Sequence, residues 1–207
     1  MNSHNFEVAI LCGGQSSRMG QPKHDMPLPD KRPLVSHMID RIRSARPEMP
    51  TIHISLRAED QSFQTAADDR IQFIYDSDDR PAGRVDLGPA SGLLAAHHRD
   101  PTAHWLVIAC DYPLLCVDDL RYIIESYEPP LTCFENVEGW PEPLLAIWSP
   151  LALQALERNV QAGMTGPIKT LKALQTKRLK PLDERSLLNA NTPADWEAAL
   201  RIFRQNI

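Results

Sequence analysis

The sequence predicts an α/β fold of three layers, in which a mostly parallel sheet is covered by helices on both faces. Short apolar runs alternate along the chain with longer amphipathic stretches, which is the pattern of strands joined by helical crossovers. The 207 residues, 43% of them hydrophobic, suffice for one substantial core. We therefore expect a single domain over residues 1–207.

The local patterns predict the individual elements. Short runs with β-branched or aromatic residues predict strands at 8–12, 51–56, 71–75 and 104–110. Apolar residues at helical spacing predict helices at 33–45, 90–98 and 117–127, and further helices around 150–161 and 166–175. Thr192 followed by Pro193 is typical of the start of a last helix. The segment 131–150 is expected to be irregular and β-rich.

Charge and cysteine content argue against several classes of function. The net charge of −5 disfavours a general nucleic-acid-binding protein, which is normally basic, whereas a small phosphorylated ligand needs only local positive charge. The four cysteines are far apart and lack zinc-site spacing, which indicates reduced, intracellular thiols. The sequence begins with neither a basic leader nor an apolar run long enough for a membrane span. We therefore expect a cytoplasmic protein that binds neither nucleic acid nor membranes.

The residues that follow the predicted strands are the first candidates for a site, because open parallel sheets bind ligands at the carboxyl ends of their strands. Gly13 and Gly14 follow the first strand, Asp76 follows the third, and Asp111 follows the fourth. Three of the four predicted strands thus end in residues that could contact a ligand.

The segment LCGGQSSRMGQPK, residues 11–23, is a small and basic loop after the first strand. It is neither a P-loop, because Gly20 is followed by Gln21 and Pro22, nor a Gly-x-Gly-x-x-Gly dinucleotide loop. Its backbone N–H groups and serine hydroxyls could position an anion that Arg18 and Lys23 would neutralise. A tight turn with two solvated basic side chains is the alternative.

This loop closely resembles the Leu-x-Gly-Gly-x-Ser-x-Arg-Met-Gly-x-x-Lys signature of the nucleotidyltransferase superfamily, and the nearest branch is the molybdenum cofactor guanylyltransferase family. Four further segments resemble motifs of that family in the same order: DLGPASGLLAA (86–96), VIACDYPLL (107–115), PEPLLAIW (141–148) and NANTPADW (189–196). The five matches span residues 8–196, which is nearly the whole chain.

The resemblance implies a Rossmann-like fold and the transfer of GMP from Mg²⁺-bound GTP to molybdopterin, with release of pyrophosphate. It implies catalytic roles for Arg18, Lys23 and Asp111, of which Asp111 would also hold Mg²⁺. Asn189 and Asn191, expected on a last short strand, would contact the substrate. The nucleotide-binding set that it implies is Leu11, Cys12, Gly13, Gly14, Lys23, Asp76, Gly88 and Asp111.

Several of these residues also have a simpler interpretation. Asp111 could cap the helix predicted at 117, Asp76 lies in an acidic loop that could be merely solvated, and Gly88 could serve only to cap a helix. Asparagine side chains such as those of Asn189 and Asn191 often satisfy the backbone of a turn.

Two departures from the family pattern surround Lys23. Pro22 stands before it where guanylyl members usually have an acid, and a proline there is more typical of cytidylyl relatives. His24 and Asp25 follow it where the family usually has small or apolar residues. The cytidylyl relatives usually carry Ala-Ala-Gly where this chain has CGG, so the double glycine, together with the Asn-x-Asn-Thr-Pro segment, favours guanine. The alternatives are a cytidylyltransferase, a sugar-phosphate nucleotidyltransferase, or a binding module without turnover. The resemblance also implies contacts with molybdoenzyme-specific chaperones or other cofactor-biosynthesis proteins.

Trp140, in the proline-rich segment EGWPEP, is expected to be exposed. Its ring could stack on a flat pterin, but ordinary surface packing is the commoner role, and we do not include it in the predicted site. Lys169 and Lys172, in the segment expected on the pterin side, could equally belong to a helix surface.

Overall fold

The computed structural model describes residues 5–14, 19–48, 51–57, 68–75 and 87–205. Within these ranges, seven strands form one sheet in the order β3-β2-β1-β4-β6-β5-β7. Pairing is parallel between β1 and its neighbours β2 and β4, between β2 and β3, and between β5 and β7. Strand β6 is antiparallel to both β4 and β5. The strands are β1 Phe6–Leu11, β2 Ile52–Leu56, β3 Ile71–Tyr75, β4 His104–Ala109, β5 Leu131–Glu135, β6 Pro141–Trp148 and β7 Thr176–Leu179.

Helices cover both faces of the sheet. They are α1 Leu34–Ala45, α2 Pro89–Arg99, α3 Val117–Glu125, α4 Pro150–Gln161, α5 Pro167–Ala173 and α6 Pro193–Gln205. One buried apolar cluster contains residues of α1, α3 and α6, and a second contains residues of α2, α4 and α5. The three-layer α/β/α prediction is therefore confirmed.

Strand β1 shows how the alternation of side chains builds two cores. Val8 and Ile10 belong to the first cluster, whereas Ala9 between them belongs to the second. All three are fully buried, because β1 lies between β2 and β4 and has helices on both sides. A continuous apolar run such as VAIL is the expected sequence of such a strand.

The predicted elements lie close to the observed ones, with two exceptions. The prediction that Asn189 and Asn191 lie on a strand is wrong: they lie in the irregular segment 188–192, between a short 3-10 turn at Glu184–Leu187 and α6. Strand β7 was not predicted. Its sequence TKRL contributes one buried apolar residue, Leu179, so it is a strand because of its backbone pairing with β5 rather than because of an apolar pattern.

The segment 131–150 is β-rich, as expected, and it forms the β5–β6 hairpin with a register shift between Cys133 and Phe134. Thr192 begins α6 as predicted, since its hydroxyl accepts a hydrogen bond from the Asp195 N–H at 3.2 Å. In the described part of the chain, no helix is long and apolar enough to cross a membrane.

Candidate active site

The candidate site lies at the edge of the sheet where β1 and β4 end. Because these strands are parallel neighbours, the loop after Leu11 and the loop after Ala109 emerge side by side. Strand β6 runs the other way and therefore begins at this same edge. Three segments that are distant in the sequence thus meet at one place, as the rule for open α/β sheets predicts.

The ammonium group of Lys23 connects two of the predicted motifs. Its Nζ lies 2.7 Å from Asn191 Oδ1 and 3.3 Å from Asp111 Oδ2. The side chains of Lys23 and Asp111 are only 16% and 22% exposed. A cation held at this depth by two oxygen atoms is positioned for an anionic ligand rather than dispersed in solvent.

The segment that carries Asn191 is held on both sides. The Ala190 N–H donates to the Asp111 carbonyl oxygen at 2.9 Å, which ties the segment to the end of β4. The N–H groups of Asn191 and Thr192 both donate to Asp195 Oδ2, at 3.1 and 2.8 Å. Asn191 is thus fixed by backbone contacts, and its side chain remains directed at Lys23.

A 3-10 turn, Lys23–Asp25, holds Lys23 in place. Its middle residue, His24, is almost fully buried, with Nε2 3.6 Å from Asp25 Oδ2. Of the polar pair that follows Lys23, His24 is therefore packed in the interior and Asp25 is its partly exposed partner.

The electrostatics of Asp111 follow from its position. Burial raises the pKa of the Asp111 carboxyl, and the nearby Lys23 ammonium opposes that rise. The neighbouring Tyr112 hydroxyl donates to Glu142 Oε2 at 2.9 Å. Burial also raises the pKa of Glu142, and the charge of Asp111 adds to this effect. Two partly buried carboxylates, Asp111 and Glu142, thus lie near each other, and Lys23 pairs with Asp111.

Sequence reasoning missed Glu142, Tyr112 and Asn136 as members of this site. Glu142 lies in the quoted segment PEPLLAIW, but only the antiparallel pairing of β6 with β4 brings its carboxylate to Tyr112. Asn136 Nδ2 lies 3.5 Å from the other oxygen of Glu142. The sequence feature that could have identified Glu142 is its position as an acidic residue at the start of β6, the strand that pairs with β4.

The predicted nucleotide side of the site is compact. Leu11 ends β1, and the Cys12 N–H donates to the Ser55 carbonyl oxygen at 2.8 Å. A side chain at Gly13 would lie 3.2 Å from the backbone nitrogen of Arg57, so a glycine lets the two chain segments approach. Gly14, which is exposed, has no atom within 4 Å of the position of a side chain.

Gly88 precedes α2 with a φ of 53°, a conformation that side-chain-bearing residues rarely adopt. The first turn of α2 packs closely on the end of β1, since a Cβ at Gly92 would lie 3.0 Å from a methyl group of Leu11. This contact sets the segment with Gly88 beside the loop after β1. The two other predicted site residues, Arg18 and Asp76, lie outside the described residues.

The donor atoms of the site suit a hard cation. Asp111 supplies carboxylate oxygens, and Asn189 Oδ1 is buried and has no hydrogen-bond partner among the described residues. Hard divalent cations prefer such oxygen ligands, and Mg²⁺ in nucleotide sites commonly uses one or two carboxylates together with phosphate oxygens. Within the described ranges, no group of three His, Cys, Asp or Glu side chains could hold a metal by itself.

A parallel sheet edge that joins a glycine loop, a fixed lysine and a partly buried aspartate is the arrangement expected of a nucleotidyltransferase. The particular family follows from comparison: the model described as MobA-like NTP transferase domain matches residues 8–187, and the chain belongs to this family. The family prediction and the prediction of a nucleotidyltransferase are confirmed.

Similar proteins support the same assignment. A probable molybdenum cofactor guanylyltransferase from Rhodopirellula baltica is 31% identical over 193 residues, which are 90% of this chain and 87% of the relative. A molybdenum cofactor biosynthesis bifunctional protein from Synechocystis is 27% identical over 90% of this chain, which spans about half (51%) of that relative. The structure of molybdopterin-guanine dinucleotide biosynthesis protein A from Archaeoglobus fulgidus has a TM-score of 0.71 at 23% identity and covers 96% of this chain and 99% of that one, so the two share a fold.

Proposed function

We propose that this chain transfers GMP from Mg²⁺-bound GTP to molybdopterin, forming molybdopterin guanine dinucleotide and pyrophosphate. The observation that carries the proposal is the Lys23 ammonium held between Asp111 and Asn191, which joins the glycine-loop motif to two other motifs of the family. The names of the relatives support the choice of nucleotide and acceptor.

In this reaction a phosphate oxygen of the acceptor attacks the α-phosphate of the nucleotide, the new P–O bond forms, and the bond to pyrophosphate breaks. Such a transfer needs positioning and charge neutralisation rather than covalent participation of the protein. Lys23 would neutralise developing negative charge on the phosphates, with Arg18 as the second proposed cation. Asn191 fixes the direction of the Lys23 ammonium before substrate arrives.

Asp111 and Asn189 are the groups that would hold Mg²⁺. When bound, Mg²⁺ supplies charge neutralisation and polarisation at the phosphate oxygens. The bond from the Ala190 N–H fixes the backbone of Asp111, and the contact with the Lys23 ammonium at 3.3 Å orients its carboxylate.

The backbone from Leu11 to Gly14 would contact the base, with Asp76 and Gly88 completing the nucleotide side. The close approach required at Gly13 keeps this strip of backbone next to β2. A cytidylyltransferase is the second candidate, because Pro22 precedes Lys23, and a proline there is more typical of the cytidylyl relatives.

The test is a pyrophosphate-release assay with molybdopterin, Mg²⁺ and either GTP or CTP. We expect turnover with GTP and little with CTP, and turnover with CTP would instead assign the cytidylyl reaction. Asp111→Asn should lower kcat by about 10²-fold or more. The matched control is Asp118→Asn, whose carboxylate is 75% exposed and pairs with Arg121 on the surface of α3.

Wild-type protein that binds GTP yet releases no pyrophosphate with either nucleotide would reject the proposed enzyme and favour the binding module. The expected cytoplasmic location, the single domain over 1–207 and contacts with molybdoenzyme-specific chaperones or other cofactor-biosynthesis proteins stay predictions.

A further inference from the structure

We infer that Trp140 and Lys172 form the acceptor-binding surface of this site, where they recognise a flat heterocycle that carries a phosphate. The inference rests on the proposed function, because it assigns residues to the second substrate of that reaction. It also revises the sequence interpretation of Trp140 as ordinary surface packing.

Trp140 is exposed, yet its position is fixed. Its side chain is 55% exposed, whereas the other three tryptophans of the chain are buried, with exposures between 0% and 6%. Asn136 Oδ1 accepts hydrogen bonds from the N–H groups of Glu138 and Trp140, at 3.1 and 3.0 Å. The Asn136 N–H donates in turn to the Trp140 carbonyl oxygen at 2.9 Å. A turn held by three hydrogen bonds presents a large aromatic ring that contributes to neither apolar core.

The same turn is connected to the candidate active site. Asn136 Nδ2 lies 3.5 Å from Glu142 Oε1, and Glu142 Oε2 accepts from the Tyr112 hydroxyl at 2.9 Å. Tyr112 directly follows Asp111. Trp140 stands two residues before Glu142, which in extended chain is about 7 Å. The turn that carries Trp140 therefore adjoins the edge of the sheet that carries Asp111, and the contacts of Asn136 and Glu142 connect the two.

Lys172 adds a positive charge to this surface. Its Nζ lies 5.5 Å from the centroid of the Trp140 ring, within the range of a cation–π contact. Lys172 belongs to α5, on the sheet face whose core is built from α2, α4 and α5. The surface thus pairs a π-face with an ammonium group, beside a site whose Asp111 and Glu142 are acidic. That combination suits a ligand with a planar ring for stacking and a phosphate for the ammonium, and both features are present in molybdopterin.

Steady-state kinetics with GTP and molybdopterin test the inference. Stacking on an aromatic side chain is strong enough for Trp140→Ala to raise the KM for molybdopterin about tenfold, and Trp140→Phe should raise it less. A tenfold change corresponds to about 1.4 kcal/mol. Lys172→Met should also raise this KM. The KM for GTP should stay within about twofold of wild type in all three variants, because the proposed nucleotide contacts, Leu11 to Gly14 and Gly88, include neither Trp140 nor Lys172.

Two variants serve as matched controls. Leu151→Ala removes another exposed apolar side chain, which is 58% exposed on α4. Lys177→Met removes another surface lysine, whose Nζ pairs with Glu128 at 2.6 Å. Both should leave the KM for molybdopterin unchanged. A Trp140→Ala enzyme with wild-type KM for molybdopterin would overturn the inference while leaving the proposed reaction intact.

If the wild type turns over neither GTP nor CTP, the proposed function fails, and direct binding decides the inference. The probe is then 6-hydroxymethylpterin phosphate, followed by the anisotropy of its own fluorescence, with unphosphorylated 6-hydroxymethylpterin for comparison. Weaker binding to Trp140→Ala, and loss of the preference for the phosphate in Lys172→Met, would support the inference. Equal binding to all variants, or no binding to the wild type, would reject it.

Discussion

Replacing Lys23 with methionine tests the central contact of the site. The substitution keeps an unbranched side chain of similar length but removes the ammonium that lies 2.7 Å from Asn191 Oδ1 and 3.3 Å from Asp111 Oδ2. Removal of one charge-stabilising donor from a transition state typically costs 10²–10³-fold in kcat, or about 2.7–4 kcal/mol. We therefore expect a loss of at least about 10²-fold in kcat with saturating GTP and molybdopterin.

The effect on stability should be much smaller. The Lys23–Asp111 pair is partly exposed, so its contribution lies between that of a surface pair and that of a fully buried one, and we expect a loss of about 1–2 kcal/mol in the free energy of unfolding. Lys23→Arg keeps the charge but not the compact ammonium, and it should restore part of the activity.

Pyrophosphate release measures kcat, and urea unfolding measures stability in the same preparations. Lys177→Met is the control for loss of a lysine from a carboxylate pair. A Lys23→Met protein with kcat within threefold of wild type would refute the reasoning. If the loss of activity in Lys23→Met instead equals the loss of folded protein, the role of Lys23 is structural. In that case Lys23→Arg, which keeps the charge, should recover stability and activity to the same extent.

Three further predictions concern stability and packing. Burial and two neighbouring guanidinium groups lower the pKa of His37 to about 4. Because the unfolded imidazole binds a proton near pH 6.5, unfolding takes up protons below that pH, and the His37 contribution to the free energy of unfolding should fall by about 1–2 kcal/mol from pH 7 to pH 5. The loss on acidification should therefore be smaller by that amount in His37→Gln, in which the buried His97 still contributes, and an equal loss in both proteins would contradict this. Asp119 is fully buried, and its carboxylate accepts hydrogen bonds from the Ser186 hydroxyl at 2.5 Å and from the Leu182 N–H at 2.6 Å. Asp119→Ala should therefore lower the free energy of unfolding, measured in urea, by about 3–5 kcal/mol, and a loss below about 1 kcal/mol would contradict this. A side chain at Gly92 would collide with Leu11, so Gly92→Val should displace Leu11, lower the free energy of unfolding by about 1–3 kcal/mol and raise the KM for GTP. An unchanged KM would show that the position of Leu11 does not affect nucleotide binding.

The fold was largely predictable because its central strands are buried on both faces. A strand such as β4 must then be apolar along its whole length, which is visible in the sequence HWLVIA. The edge strand β7 was not predictable in this way. Its residues Thr176 to Arg178 are polar, and its place is decided by pairing with β5, a contact between segments 45 residues apart, as in Leu131 with Thr176. The pairing of an edge strand with a segment distant in the sequence cannot be recognised from the local amino-acid composition.

The site was predictable to the extent that its residues directly follow strands. Asp111 was found because it ends β4, and Lys23 because it closes the glycine loop. The turn that holds Asn191 was mistaken for a strand, since asparagine, threonine and proline in sequence describe a helix start equally well. Glu142 was missed because nothing in PEPLLAIW indicates which neighbouring strand it faces.

The contacts of Lys23 show why a glycine loop alone does not specify function. Its ammonium bonds to partners 88 and 168 residues away, so the cation is placed by the sheet and not by the loop. Among the described residues, the Lys23 ammonium pairs with Asp111, and the charge of Asp111 helps to raise the pKa of the nearby Glu142 carboxyl. A bare triphosphate would add negative charge to a cluster that is already acidic. We therefore expect the nucleotide to bind as a complex with a divalent cation. This expectation depends on the loop after β1, the end of β4 and the start of β6, which only the folded chain brings together.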